Sequence, residues 1–229
     1  MEMRYKTMQL LKSTVGKKII MAITGVLMLA FIIIHMIGNS TIYFGWLNAY
    51  VEHLHALPLL VWMFRIGMLT VFSIHVFFGI TLTLENRAAR PQAYTVKKSL
   101  RATFSGKNMI WTGLIIAAFL IYHLLHFTLQ ITHPEISSRM NLDVLGRPDV
   151  FKMVVLSLQK FFTAIIYVSA MIVLFLHLNH GIQSFFQTLG LNNDRTLPAI
   201  TKAGTIAAVI FFLGYMAIPI AVFTGILKG

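Results

Sequence analysis

Six histidines stand inside apolar runs of this chain, and four of them, His35, His75, His123 and His177, fall in a repeated local sequence. An imidazole can ligate a metal through a neutral ring nitrogen, relay a proton, or close a hydrogen bond between helices. A charged side chain at the centre of a bilayer costs at least about 2.5 kcal/mol on insertion scales, so such a residue is read first as functional and as facing the protein interior. Taken singly, each of these histidines is more often a satisfied hydrogen bonder than a ligand. Taken together they are not independent, because the sequence around them repeats.

The stretch T-G-V-L-M-L-A-F-I-I-I-H runs from Thr24 to His35, and T-G-L-I-I-A-A-F-L-I-Y-H runs from Thr112 to His123. Thr, Gly, Ala-Phe and His recur at identical offsets. A Gly-Lys pair precedes each block, Gly16-Lys17 and Gly106-Lys107, with a two-residue slip. His75 opens H-V-F-F-G-I and His177 opens H-L-N-H-G-I, both of the form H-x-x-x-G-I. So His123 matches His35 and His177 matches His75, while His126 and His180 have no counterpart.

The elements that must carry these residues are membrane spans. Of 229 residues 57% are hydrophobic and 11% charged, against about 25% charged in a soluble domain. A span needs about 20 apolar residues, and five runs qualify: about 19–43, 59–84, 109–132, 161–187 and 204–227. The expected fold is an all-α membrane protein of five transmembrane helices. The first four form a bundle in which spans 1–2 repeat as spans 3–4 with the same orientation, a parallel repeat. We read residues 1–229 as one transmembrane domain. The first run is too long for a cleaved signal and no small-residue site follows it. The net charge of +12 does not point to nucleic acid, because the bases sit between apolar runs. Arg4, Lys6, Lys12, Lys17 and Lys18 precede span 1, and Arg87, Arg90, Lys97, Lys98, Arg101 and Lys107 lie between spans 2 and 3. The loop between spans 1 and 2 has no Lys or Arg, so the positive-inside rule places the N-terminus in the cytoplasm. Arg139, Arg147, Lys152 and Lys160 in the loop at about 133–160 run against that trend. Trp46, Trp62 and Trp111 fall near the interfaces, as an aromatic belt would.

Depth then sorts the four histidines. At 1.5 Å rise per residue, His35 and His123 fall in the outer half and His75 and His177 in the inner half, with layers roughly 10 Å apart. Two neutral imidazoles facing each other from different helices make a bis-histidine iron site, and bundle cofactor sites are built from facing helices. We therefore expect two b-type haems, an outer one on His35 and His123 and an inner one on His75 and His177, conducting electrons across the membrane. Gly79 and Gly181, four residues after His75 and His177, share their helical face and would leave room for a flat macrocycle. His126 and His180 are read as interior hydrogen bonders near the haems. His53, His55 and His133 are read as solvated loop residues. The absence of cysteine excludes disulfides, thiolate-held iron–sulfur clusters and covalent c-type haem.

Further motifs carry a resemblance: G-K-K at 16–18, the block ending at Gly38-Asn39, E-N-R-A-A-R-P at 85–91 and H-G-I-Q-S-F-F-Q-T-L-G at 180–190. With these residues the chain resembles, over nearly its whole length, the cytochrome b558 subunits of succinate dehydrogenase, the di-haem anchors of succinate:quinone oxidoreductases. The resemblance implies five helices, two haem b groups with axial positions at His35, His75, His123 and His177, and a quinone of menaquinone type. It also implies docking to a flavoprotein subunit and an iron–sulfur subunit on the cytoplasmic side of a prokaryotic inner membrane. The lack of cysteine and of any large loop domain fits a chain that receives electrons from such partners. Arg87, Arg90, Lys97 and Lys98 then offer a docking face, and the same bases also serve topology and anionic lipid.

For the quinone, the outer edge offers Glu52 as a proton exchanger and Arg65 as a partner for a haem propionate; Arg65 would otherwise snorkel to the interface. No acid stands inside a span, which argues against a carboxylate proton pump. Two other readings compete: a di-haem b anchor of another respiratory dehydrogenase, and a haem-free transporter whose helices break at the midplane. Only Pro219, far from the histidines, offers such a break.

Overall fold

The structure is a computed structural model, and it describes residues 13–89 and 103–228. α1 spans Thr14–Ser40. Ser13 caps it, its hydroxyl accepting the Gly16 N–H, which satisfies one of the orphan amides of the first turn. A 3-10 turn, Thr41–Phe44, extends α1 and stops at Gly45 with φ +70°. Short α2, Leu47–His55, leads into α3, Pro58–Ala88, which opens with proline in its first turn. The second half begins with α4, Phe104–Lys107, capped by the Thr103 hydroxyl on the Gly106 N–H. This repeats the Ser13–Gly16 cap one half-chain on. α5, Met109–His123, runs into a π turn at Leu124–Thr128. α6 is Val150–Gln159, α7 is Phe161–Thr188 and α8 is Leu197–Phe223.

Five of these segments are long and apolar enough to cross a membrane: Thr14–Phe44, Pro58–Ala88, Met109–Thr128, Phe161–Thr188 and Leu197–Phe223. The chain is a multi-pass, all-helical membrane protein. Hydropathy had placed the third span to about 132 and the last at about 204–227. The third ends earlier, in its π turn. The last starts at Leu197, because Pro198 suits a first helical turn and polar Thr201 and Lys202 do not stop a helix. It ends where Gly225 takes φ +73°. α8 passes through Pro219 unbroken, so the break a transporter reading needs is absent there. α2 and α6 fall in segments expected to be loops.

α1 packs against α3 and α7, and α5 packs against the same two helices. The four therefore form a square with α1 and α5 on one diagonal and α3 and α7 on the other. α8 lies outside this square, against α7 and α1. Lipid is as apolar as leucine, so small residues that permit close approach drive helix packing in a membrane. α8 carries Gly204 and Ala208 four apart, and Ala208 is 0% exposed. A Cβ on Gly204 would meet Ile182 at 3.3 Å, and one on Gly214 would collide with the Met36 sulfur. A second packed cluster closes the outer end, where Ile42, Leu47, Val155, Leu158, Tyr167 and Val222 meet. Trp46, Trp62 and Trp111 are all exposed, as belt residues should be.

Candidate functional site

The repeat defines the site at its inner level. His75 on α3 is carried to Thr24 on α1, with Nδ1 3.0 Å from the hydroxyl. His177 on α7 is carried to Thr112 on α5, with Nδ1 3.1 Å from that hydroxyl. Both threonines are buried. The Thr24 hydroxyl lies 2.8 Å from the Ile20 carbonyl oxygen, and the Thr112 hydroxyl 3.0 Å from that of Met109. The glycine after each threonine lets the ring lie against the helix. A Cβ on Gly25 would come 3.4 Å from Cε1 of His75, and one on Gly113 would come 3.3 Å from Cε1 of His177. His75 on α3 and His177 on α7 thus stand on the two helices of the second diagonal.

The outer level uses the other diagonal. His35 on α1 and His123 on α5 face each other with ring centroids 5.9 Å apart and planes at 88°. Two imidazoles bonded to one metal at about 2 Å each have centroids about 6 Å apart, so this pair fits a bis-histidine iron. Phe31 stacks on His35 at 5.2 Å, and Tyr215 of α8 lies 6.2 Å from it. Tyr167 of α7 stands with its hydroxyl 3.3 Å from Nδ1 of His123. No cluster of three or more His, Cys, Asp or Glu that could hold a metal ion occurs among the described residues. Thr24 marks the depth of His75. His35 stands eleven residues further along α1, so the levels lie about 16 Å apart at 1.5 Å per residue. That is wider than the 10 Å expected from counting inward, because His75 reaches α1 only about one and a half turns past the start of the apolar run.

The other histidines separate from these pairs. His126 is 3% exposed, with Nδ1 3.1 Å from the Tyr167 hydroxyl and Nε2 3.1 Å from the Ser157 hydroxyl. Both its nitrogens are engaged, and the π turn aims it at α6 and α7. π turns are frequent at functional sites. His180 lies at the inner end over Gly106, where a Cβ would meet Cε1 at 2.9 Å. His53 and His55 are exposed on α2, and half-buried His133 sits 3.0 Å from the Lys160 ammonium. Gly79 and Gly181 again behave as equivalents: a Cβ on either would lie 3.6 Å from the methyl of Met21 or Met109 respectively. They seat α3 and α7 against α1 and α5.

At the outer edge, Glu52 lies 3.6 Å from the Arg147 guanidinium and its side chain is 53% exposed. Arg65 is 3.2 Å from Nε2 of His55 and stacks over Trp62 at 5.3 Å. The structure thus gives Glu52 and Arg65 separate partners. At the inner edge Lys17 pairs with Glu85, and Arg87 lies in the last turn of α3. Arg90, Lys97 and Lys98 lie outside the described residues. Sequence reasoning missed Thr24, Thr112, Tyr167, Ser157 and Tyr215. The first two were visible as the repeated Thr-Gly, and the others have no repeated signal.

Five apolar helices, four of them carrying a repeated histidine, define a class, the multi-pass helical membrane protein. The sequence profile of the succinate dehydrogenase/fumarate reductase transmembrane subunit family matches residues 83–212, more than half of the chain, and the chain belongs to that family. The matched segment holds His123 and His177, and the internal repeat extends their pattern to His35 and His75. Comparison with the curated proteins and with the solved structures returns no match.

Proposed function

We propose that this chain is the di-haem b anchor of a succinate:quinone oxidoreductase in a prokaryotic cytoplasmic membrane. In that role it passes electrons between an iron–sulfur subunit and a quinone of menaquinone type. The observation that carries the reading is the repeated pairing. Two histidines approach within 5.9 Å on one diagonal, and their repeat partners are held by threonines on the other. His35 and His123 would hold one haem b, and His75 and His177 the other. When bound, the two groups supply one-electron chemistry at two depths.

The chain's own residues do the rest. The diagonals keep each histidine pair within the bundle, where packed helices exclude water. The flavoprotein and iron–sulfur partners dock on the basic cytoplasmic side. On the outer side the exposed Glu52 carboxylate can exchange protons with the aqueous phase. The same arrangement serves succinate oxidation and fumarate reduction.

The test is a reduced-minus-oxidised spectrum of the assembled complex. Succinate should bring up b-type haem bands, and a menaquinone analogue should bleach them. A complex that turns over succinate with no b-type signal would refute the di-haem reading.

A further inference from the structure

We infer that Thr24 and Thr112 are positioning residues for the inner histidine pair, each accepting the Nδ1–H of its histidine and so presenting a bare Nε2 inward to iron. The inference rests on the di-haem reading above. Proton accounting carries it. A hydroxyl has one proton, and a backbone carbonyl 2.8 Å from Thr24 and another 3.0 Å from Thr112 take it. The oxygen then faces the histidine as an acceptor, so Nδ1 of His75 and of His177 must bring the proton. A neutral imidazole carries one N–H, which leaves Nε2 unprotonated on both rings. The side-chain hydrogen bonds of both rings run through Nδ1.

The arrangement occurs twice, from different helix pairs, at repeat-equivalent positions. A threonine that only bonds back to its own helix needs the carbonyl and not the second contact. The outer pair is built otherwise, with a tyrosine on His123 and aromatic rings beside His35. The effect is therefore confined to the inner level.

An acceptor on the far nitrogen fixes ring orientation and raises ligand basicity, and loss of such a partner costs about 10–100-fold. A more basic imidazole favours ferric over ferrous iron. Removing the hydroxyl should raise the potential of the inner haem, and a tenfold loss of ferric preference is about 59 mV for one electron.

The experiment is an optical redox titration, with haem content, of the purified complex carrying Thr24→Val, Thr112→Val, and Thr→Ser at each site. The component missing from a His177→Ala variant identifies the inner haem. Each valine variant should shift that component upward, or lose it, and leave the other in place. Each serine variant should titrate like the parent. If the parent holds two haems and the valine variants titrate unchanged, or if the other component moves, the inference is overturned. It is overturned equally if serine and valine lose haem alike, since packing would then explain the loss. A parent with no haem would instead remove the di-haem reading itself.

Discussion

His177 and His180 stand three residues apart on α7, yet they meet different surroundings. His177 reaches the Thr112 hydroxyl and lies over Gly113, a glycine with an equivalent in the first half. His180 lies over Gly106 beside a helix cap. We predict that His177→Ala removes one of two haems and that His180→Ala retains both, as read by pyridine haemochrome. Haem loss from the second variant alone would reverse the assignment. The ligand candidates were legible because repetition marks what composition cannot. The partners across the bundle were not. Tyr167 stands at the repeat position of Arg65, since 177 − 75 and 167 − 65 both equal 102. The halves diverge there, so a hydroxyl that touches both His123 and His126 leaves no trace in the repeat.

Among the elements, the spans were legible and their ends were not. Hydropathy reports where lipid is, whereas caps decide where a helix starts. Ser13 and Pro198 begin α1 and α8 outside the apolar runs. The π turn at Leu124–Thr128 follows from His126 seeking Tyr167 and Ser157, a tertiary demand no local pattern carries. α8 depends on small residues, so Ala208→Leu should push it from α7 and α1 and cost about 1–3 kcal/mol as overpacking does. A fall in melting temperature in detergent, with α8 more open to hydrogen exchange, is the expected result; an unchanged melting point would refute this packing.

The loop before α6 is pinned differently. Asp143 accepts from the Leu145 and Arg147 amides at 2.9 Å and from the Arg147 guanidinium at 2.8 Å, and Asn48 of α2 reaches it at 3.2 Å. Arg147 holds the Asp143 carboxyl down to about 2. A depressed carboxylate contributes stability above its unfolded pKa of about 3.9, and that stability is lost as pH falls through the folded value. Protection factors across 141–149, which correct exchange for its intrinsic pH dependence, should therefore be flat from neutral pH to about 5 and fall between about 4 and 2. Asp143→Asn should show the lowered protection already at neutral pH. A transition centred near pH 6 would exclude Asp143 as its cause.

The whole molecule places each histidine pair on one diagonal of a square bundle, with α8 bracing its α1–α7 side. None of the most apolar window of α3 is buried, so this helix meets lipid along most of its length. Its contacts with α1 include Phe64 against Phe31, His75, Gly79 and the Lys17–Glu85 pair. A cofactor bridging α3 to α7 would add the contact this helix lacks, and ligand binding to the native state alone stabilises it by mass action. On the outer side, Glu52→Gln in the assembled complex should keep both haems and their reduction by succinate, yet slow quinone-linked turnover. Full turnover in that variant would exclude Glu52 from quinone chemistry without touching the histidine assignment.

The central claim is two haems on four histidines. The direct measurement is a pyridine haemochrome assay on the purified chain, with protein quantified by amino-acid analysis. The account predicts two non-covalent haem b per chain; one haem per chain, or none, would contradict it.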